Sequence, residues 1–201
     1  MLHPLLTFVH IVGLMLIAAG LIGVFLADIR TRQAGTLPVF AEAVRNIALF
    51  YDGLVVPGAL LLAGSGAWLI AEFHGWDGVL EQPWLAGMLA LFLFEFVEGN
   101  TVTRLYFLRL RRETREAVAQ GRFTKALDRR RAAPLPTFTH FLDLPLLMVI
   151  VSLGVLRPTD WTQFIVGTAA AVALATVFTL VLPRLYAADP LTGTGAPCAG
   201  G

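Results

Sequence analysis

Five long apolar stretches, at residues 5–26, 50–70, 84–107, 138–156 and 161–182, constrain the fold of this 201-residue chain more than any other feature. At 1.5 Å per residue each is long enough, or nearly so, to cross about 30 Å of hydrocarbon as a helix. Backbone in lipid must satisfy its own hydrogen bonds, which leaves helices or closed barrels, and runs of this length select helices. Composition agrees, since 57% of the residues are hydrophobic, 14% are charged and the mean hydropathy is +0.73, whereas a soluble domain holds about 25% charged residues. The expected fold is all-α, a polytopic membrane helix bundle with a four-helix core and a fifth transmembrane helix. The opening Met1-Leu2-His3-Pro4 lacks the basic region of a signal peptide, and Arg30 and Arg32 follow the first stretch, so that stretch is expected to remain as a span.

Basic residues gather on the cytoplasmic side of membrane proteins. With the N-terminus outside and the C-terminus inside, only Arg157 of the fifteen Lys and Arg residues lies outside. The pattern points to an N-out/C-in protein of the bacterial cytoplasmic (inner) membrane. A net charge of +1 gives no reason to invoke nucleic acid. The expected partners are the lipid bilayer and other membrane subunits or further copies of the chain. In the cytoplasmic loop 108–137, the stretch from Arg109 to Arg131 holds nine basic and three acidic residues. Its Glu and Ala content predicts that the third helix continues into it before Gly121, against anionic headgroups. Residues 187–201, rich in Gly, Pro and Thr, read as a disordered cytoplasmic tail. Cys198, the single cysteine, lies in that tail and can make no intrachain disulfide. Gly13, Gly20, Gly58, Gly64, Gly66, Ala169, Ala170, Ala171 and Ala173 are small residues of the kind that let helix backbones approach, and the fifth helix is expected to brace the other four.

Two carboxylates, Glu95 and Glu98, interrupt the third stretch, where a lipid-facing helix should have none. Counting inward from Trp84, Glu95 falls about 16 Å down, near the midplane, and Glu98 about 21 Å down. The fourth stretch carries His140 and Asp143 one turn apart, and Asp52 opens the second. Glu98, His140, Asp143 and Asp52, with Arg104 at the rim, are therefore expected to meet in one cavity near the cytoplasmic side. Such a cluster suits a proton or cation route, a metal site without tight ligand spacing, or a network that locks helices together.

A second polar layer lies toward the outside, with His10 about 8 Å and Met88 about 6 Å below the surface. A His and a Met at one depth on different helices form one kind of axial pair for a b-type haem, with Gly13 clearing space beside the imidazole for a planar group. In the plainer reading, His10 hydrogen-bonds a neighbouring helix and Met88 fills a gap. His3, His10 and His74 all lie toward this side and offer imidazoles to an arriving metal.

Several runs carry a resemblance. Leu6-Thr7-Phe8-Val9-His10-Ile11-Val12-Gly13, Val56-Pro57-Gly58-Ala59-Leu60, Gly66-Ala67-Trp68-Leu69, Trp84-Leu85, Leu142-Asp143-Leu144-Pro145 and Leu153-Gly154-Val155-Leu156-Arg157-Pro158 stand in this order. In pattern and order the chain from about residue 2 to 158 resembles the bacterial membrane-bound protoporphyrinogen oxidase family and its relatives among copper-resistance D-type and uncharacterised membrane proteins. The resemblance implies a four-helix bundle in which the histidine matched by His10 is associated with haem b, and it matches that family's acidic residue before the fourth-helix proline with Asp143. Two departures stand out. The family's lysine after the third-helix Trp falls at about Met88, and a later histidine falls near Glu98 or Gly99. A methionine can serve neither as a cation nor as a proton acceptor, which speaks against protoporphyrinogen oxidation while leaving haem or tetrapyrrole binding through His10. The expected function classes are a haem- or tetrapyrrole-binding redox protein, a transport or assembly component that handles protons or a cation such as copper, and a structural accessory subunit.

Overall fold

The computed structural model describes residues 2–131 and 133–186, and the expected tail with Cys198 lies outside them. Every regular element among the described residues is helical: α1 (Leu2–Gln33), α2 (Leu37–Phe50), α3 (Val56–Phe73), α4 (Pro83–Glu98), α5 (Arg104–Gln120), α6 (Lys125–Arg131), α7 (Pro134–Leu156) and α8 (Thr162–Leu185), with a short 3₁₀ turn at Asp77–Val79. Two single π-helical turns, Tyr51–Val55 and Gly99–Thr103, join α2 to α3 and α4 to α5 without breaking the rod. Five helical rods are long and apolar enough to cross a membrane: Leu2–Gln33, Leu37–Phe73, Pro83–Gln120, Pro134–Leu156 and Thr162–Leu185. Prolines open α2, α4 and α7, where the missing N–H is one that a helix start leaves free anyway.

α7 is the hub, packing on α1, α4 and α8, while α1 packs along α3 and α2. The four helices α3, α1, α7 and α4 therefore form an arc. The close approach of α1 and α3 depends on missing side chains. A Cβ on Gly13 would lie 2.9 Å from the Leu62 nitrogen, one on Gly58 2.8 Å from the Ile17 nitrogen, and one on Gly20 2.9 Å from the Val55 nitrogen. Gly66 lies against the His10 ring, and Gly64 meets nothing within 4 Å. α8 does not brace the whole bundle. It packs on α7 through buried Ala171 and Ala175, with Gly167 against Val149, and reaches α1 through Phe178 against Phe25. Ala169, Ala170 and Ala173 are exposed. Its small residues let it approach α7, and Gln163 Nε2 donates to Ser152 Oγ on that helix at 3.0 Å.

The rods are longer than a bilayer requires. α1 has 32 residues, about a dozen more than the roughly 20 that span hydrocarbon. Its far end, with α2, α5 and α6, builds a second core around Val24, Phe40, Val44, Ile47, Leu110 and Leu127. The segments expected as a loop and as a headgroup-bound strip are thus half-buried structure. The basic strip turns Leu110, Glu113, Thr114, Ala117 and Leu127 inward. Gly121, at φ +68°, ends α5 in the left-handed region that glycine enters without a steric penalty.

Glu113 receives Arg130 through Nη2 at 2.7 Å and Nε at 3.2 Å, pinning α6 to α5, and this hydrogen bonding pushes the Arg130 pKa up. Arg131 donates to the Thr31 carbonyl at 3.0 Å and lies over Phe40, while burial pulls its own pKa down. Glu113→Ala removes the charged partner of Arg130, and the expected loss is about 1.5–3 kcal/mol of local stability. Limited trypsin digestion should then cut near Arg122 and Lys125 well before the wild type is cut. Equal cleavage rates would show that the pair contributes nothing.

Candidate functional site

α4 and α7 bring acidic side chains to the centre of the arc. Glu95 and Asp143 line one cavity of about 230 Å³, bounded by α1, α3, α4, α7 and both π-turns. Asp143 is 9% exposed, and Glu95 Oε1 is buried without a hydrogen-bond partner. Among the described residues neither carboxylate forms an ion pair with Lys or Arg. Arg104 reaches the same cavity from an exposed position at its rim.

Glu98 does not line this cavity, but its carboxyl stands against that of Asp143. Its Oε1 accepts from Thr103 Oγ1 at 2.8 Å, Thr103 lies 3.4 Å from Thr139, and its Oε2 is buried without a partner. Behind Asp143 sits His140, 4% exposed, with Nδ1 3.9 Å from Asp143 Oδ2. That gap is too long for a hydrogen bond, and neither ring nitrogen has a partner. Phe107 meets its ring edge-on and Phe141 packs beside it.

Asp52 does not join this group. It is exposed, in a shallow groove with Arg104 and Arg111. Tyr51 continues the buried stripe of α2, after Phe40, Val44 and Ile47 at ordinary helical spacing, and the residue next to it, Asp52, therefore lies on the outer face. Tyr51 takes the inner position, where its hydroxyl donates to the Gly99 carbonyl at 2.7 Å and ties the two π-turns together. The cluster expected from sequence is therefore rearranged. Asp143 and Arg104 share the cavity with Glu95, Glu98 and His140 lie behind it, and Asp52 stands outside.

Sequence reasoning missed Tyr51, Thr103, Thr139 and the Asp28–Arg32 pair. Arg32 Nε donates to Asp28 Oδ2 at 2.9 Å, and Arg32 Nη2 lies 3.5 Å from Thr137. The i, i+4 spacing of Asp28 and Arg32 was a readable signal. Hydroxyls give no comparable sign, because Thr side chains on a helix commonly bond back to their own turn.

The outer layer behaves differently. His10 Nδ1 lies 3.0 Å from Ser65 Oγ, and Ser65 donates to the Leu61 carbonyl. Met88 packs with Leu85 and Ala86 on one side and the α7 cluster on the other, its sulfur close to Gly154. A His and a Met that share one haem iron must oppose their donors across a slot. Here His10 faces α3 and Met88 faces α7, while the space beside Gly13 is filled by the α3 backbone. In this arrangement the two side chains do not oppose each other across a shared slot. The imidazoles do not gather on a metal either: His3 packs on Phe73 and His74 on Trp84, and the described residues contain no group of three or more His, Cys, Asp or Glu side chains able to hold an ion.

No curated protein and no solved structure matches the chain. A family model does, over residues 4–158, which covers α1 to α7 and every residue of the cavity. This protein belongs to the family described as "Predicted integral membrane protein (DUF2269)".

Proposed function

We propose that this protein carries protons or another cation in the membrane, with Glu95 and Asp143 as the loading residues. The observation behind this reading is the pair of carboxylates in one largely apolar cavity without a Lys or Arg ion pair among the described residues. A carboxylate charge held away from water costs several kcal/mol unless a proton or a cation joins it. Polar groups continue from the cavity toward the basic end, through His140 and the Glu98, Thr103 and Thr139 group, to Thr137 and the Asp28–Arg32 pair. In this reading the N-terminus is outside, and the basic end faces the cytoplasm of a bacterium. A b-haem on His10 and Met88 has less support, because the two side chains pack against different helices.

The test is ion flux into proteoliposomes loaded with a pH-sensitive dye. Glu95→Gln and Asp143→Asn should each slow proton movement by at least about 100-fold, the low end of what a positioned proton-transfer group contributes. Wild-type rates in both variants would overturn the reading. If neither wild type nor variants move ions, and both variants melt earlier, the cluster serves assembly in an accessory subunit.

A further inference from the structure

We infer that the cavity is a binding site for a lipophilic organic cation that reaches it sideways from the bilayer, between α3 and α4. The inference rests on the cation reading above and names the class of cation. The rods that contain α3 and α4 are tied at two places. At one end Ile70 and Leu85 share a small core and His74 packs on Trp84; at the other, Tyr51 is bonded to the Gly99 carbonyl. Between these ties the cavity reaches the flank of the bundle. Leu60 and Phe96 both line it, yet they are 62% and 38% exposed. They lie on spanning rods, where the surrounding medium is hydrocarbon.

The lining then selects the guest. Most of it is aliphatic or aromatic, including Ile17, Leu62, Phe92 and Leu147, and Glu95 and Asp143 are the acids inside, whose ionised forms a bound cation would neutralise. A hard inorganic cation wants six or more oxygen ligands, more than two carboxylates offer. An organic ammonium needs no such shell. It spreads its charge, accepts an aromatic face as a partner, and places its apolar body against aliphatic walls. An anion or a neutral acceptor would need donors, and the buried one is already used, since the Tyr51 hydroxyl is committed to Gly99. The remaining donors, Asn100 and Arg104, are both exposed, and the Asn100 amide donates to the Phe96 carbonyl at 2.7 Å. The size is also suitable: 230 Å³ matches about eight water volumes, room for one aromatic ring bearing a quaternary ammonium group.

The probe is phenyltrimethylammonium, paired with its uncharged isostere tert-butylbenzene, titrated by calorimetry into the full chain in lipid nanodiscs. The charged probe should bind saturably, the neutral one at least about tenfold more weakly, with Glu95→Gln and Asp143→Asn each losing about tenfold or more. Leu60→Trp, at the exposed flank, gives an independent check and should slow or block access of the charged probe. Unchanged affinity in both carboxylate variants, or equal binding of the neutral isostere, would overturn the inference and make the cavity an apolar crevice filled by lipid. If the charged probe fails to bind while carboxylate-dependent proton flux persists, the inference falls and the proton-carrying reading stands. If both fail, both readings are lost.

Discussion

Replacing His140 with leucine should raise the melting temperature of the detergent-solubilised protein and, in the same variant, slow proton flux. The ring is 4% exposed, both nitrogens lack partners, and the nearest acid atom is 3.9 Å away. An unsatisfied buried polar group costs about 1–3 kcal/mol, so an apolar side chain of similar volume, packed against Phe107 and Phe141, relieves that cost. A residue kept at such a position despite the penalty is a signature of function, because stability and activity trade against each other at working sites. The flux arm should fall by about 100-fold if His140 passes protons from Asp143 toward the basic end. A lower melting temperature with unaltered flux would instead make the imidazole a structural part of the network. Differential scanning fluorimetry and the liposome assay, run on one preparation, separate the two outcomes.

The second large effect concerns the α1–α3 crossing. Gly58→Ala and Gly13→Ala should each lower the melting temperature, and the double variant should fail to accumulate in the membrane. The reason is contact with backbone rather than with flexible side chains: the added methyl would meet the Ile17 nitrogen at 2.8 Å or the Leu62 nitrogen at 2.9 Å. Backbone in a helix cannot step aside locally, so the helices must separate, and overpacking of this kind typically costs about 1–3 kcal/mol per site. Helix association in lipid depends on such close packing because lipid tails offer no hydrophobic gain between helices. The control is Gly64→Ala on the same helix, where a Cβ meets nothing within 4 Å and alanine favours helix by about 0.5–1 kcal/mol. That variant should be neutral or slightly stabilised. Equal losses at Gly58 and Gly64 would show that close backbone approach does not govern these glycines.

Much of the architecture was legible in the residues. The apolar stretches announced five rods because hydrophobic length is a property of the chain itself. The continuation of the third rod could be read from its Glu and Ala content, and its end from Gly121. The carboxylates at Glu95 and Asp143 marked their own positions as unusual, since lipid tolerates charge poorly whatever the surroundings. The basic strip was readable as polar but not as half-buried. Its inward residues, Leu110, Glu113, Ala117 and Leu127, acquire a core only when α2 and the end of α1 fold back beside them.

The site itself divides along the same line. Position along a rod follows from 1.5 Å per residue, which gave the expectation of Glu95 near the midplane and of Glu98, His140 and Asp143 closer to the basic end. Direction around a rod does not follow, because one extra residue in a π-turn rotates everything beyond it. Tyr51 and Asp52 still keep the period of α2, with Tyr51 facing the cavity and Asp52 the exterior, whereas His10 and Met88 face different neighbours, α3 and α7. By itself the sequence determined the membrane class and the number of rods, since these depend on local composition and length. Only the tertiary structure decided which side chains meet, because facing and neighbour order arise from backbone approach at Gly13 and Gly58 and from two π-turns that no residue pattern announces.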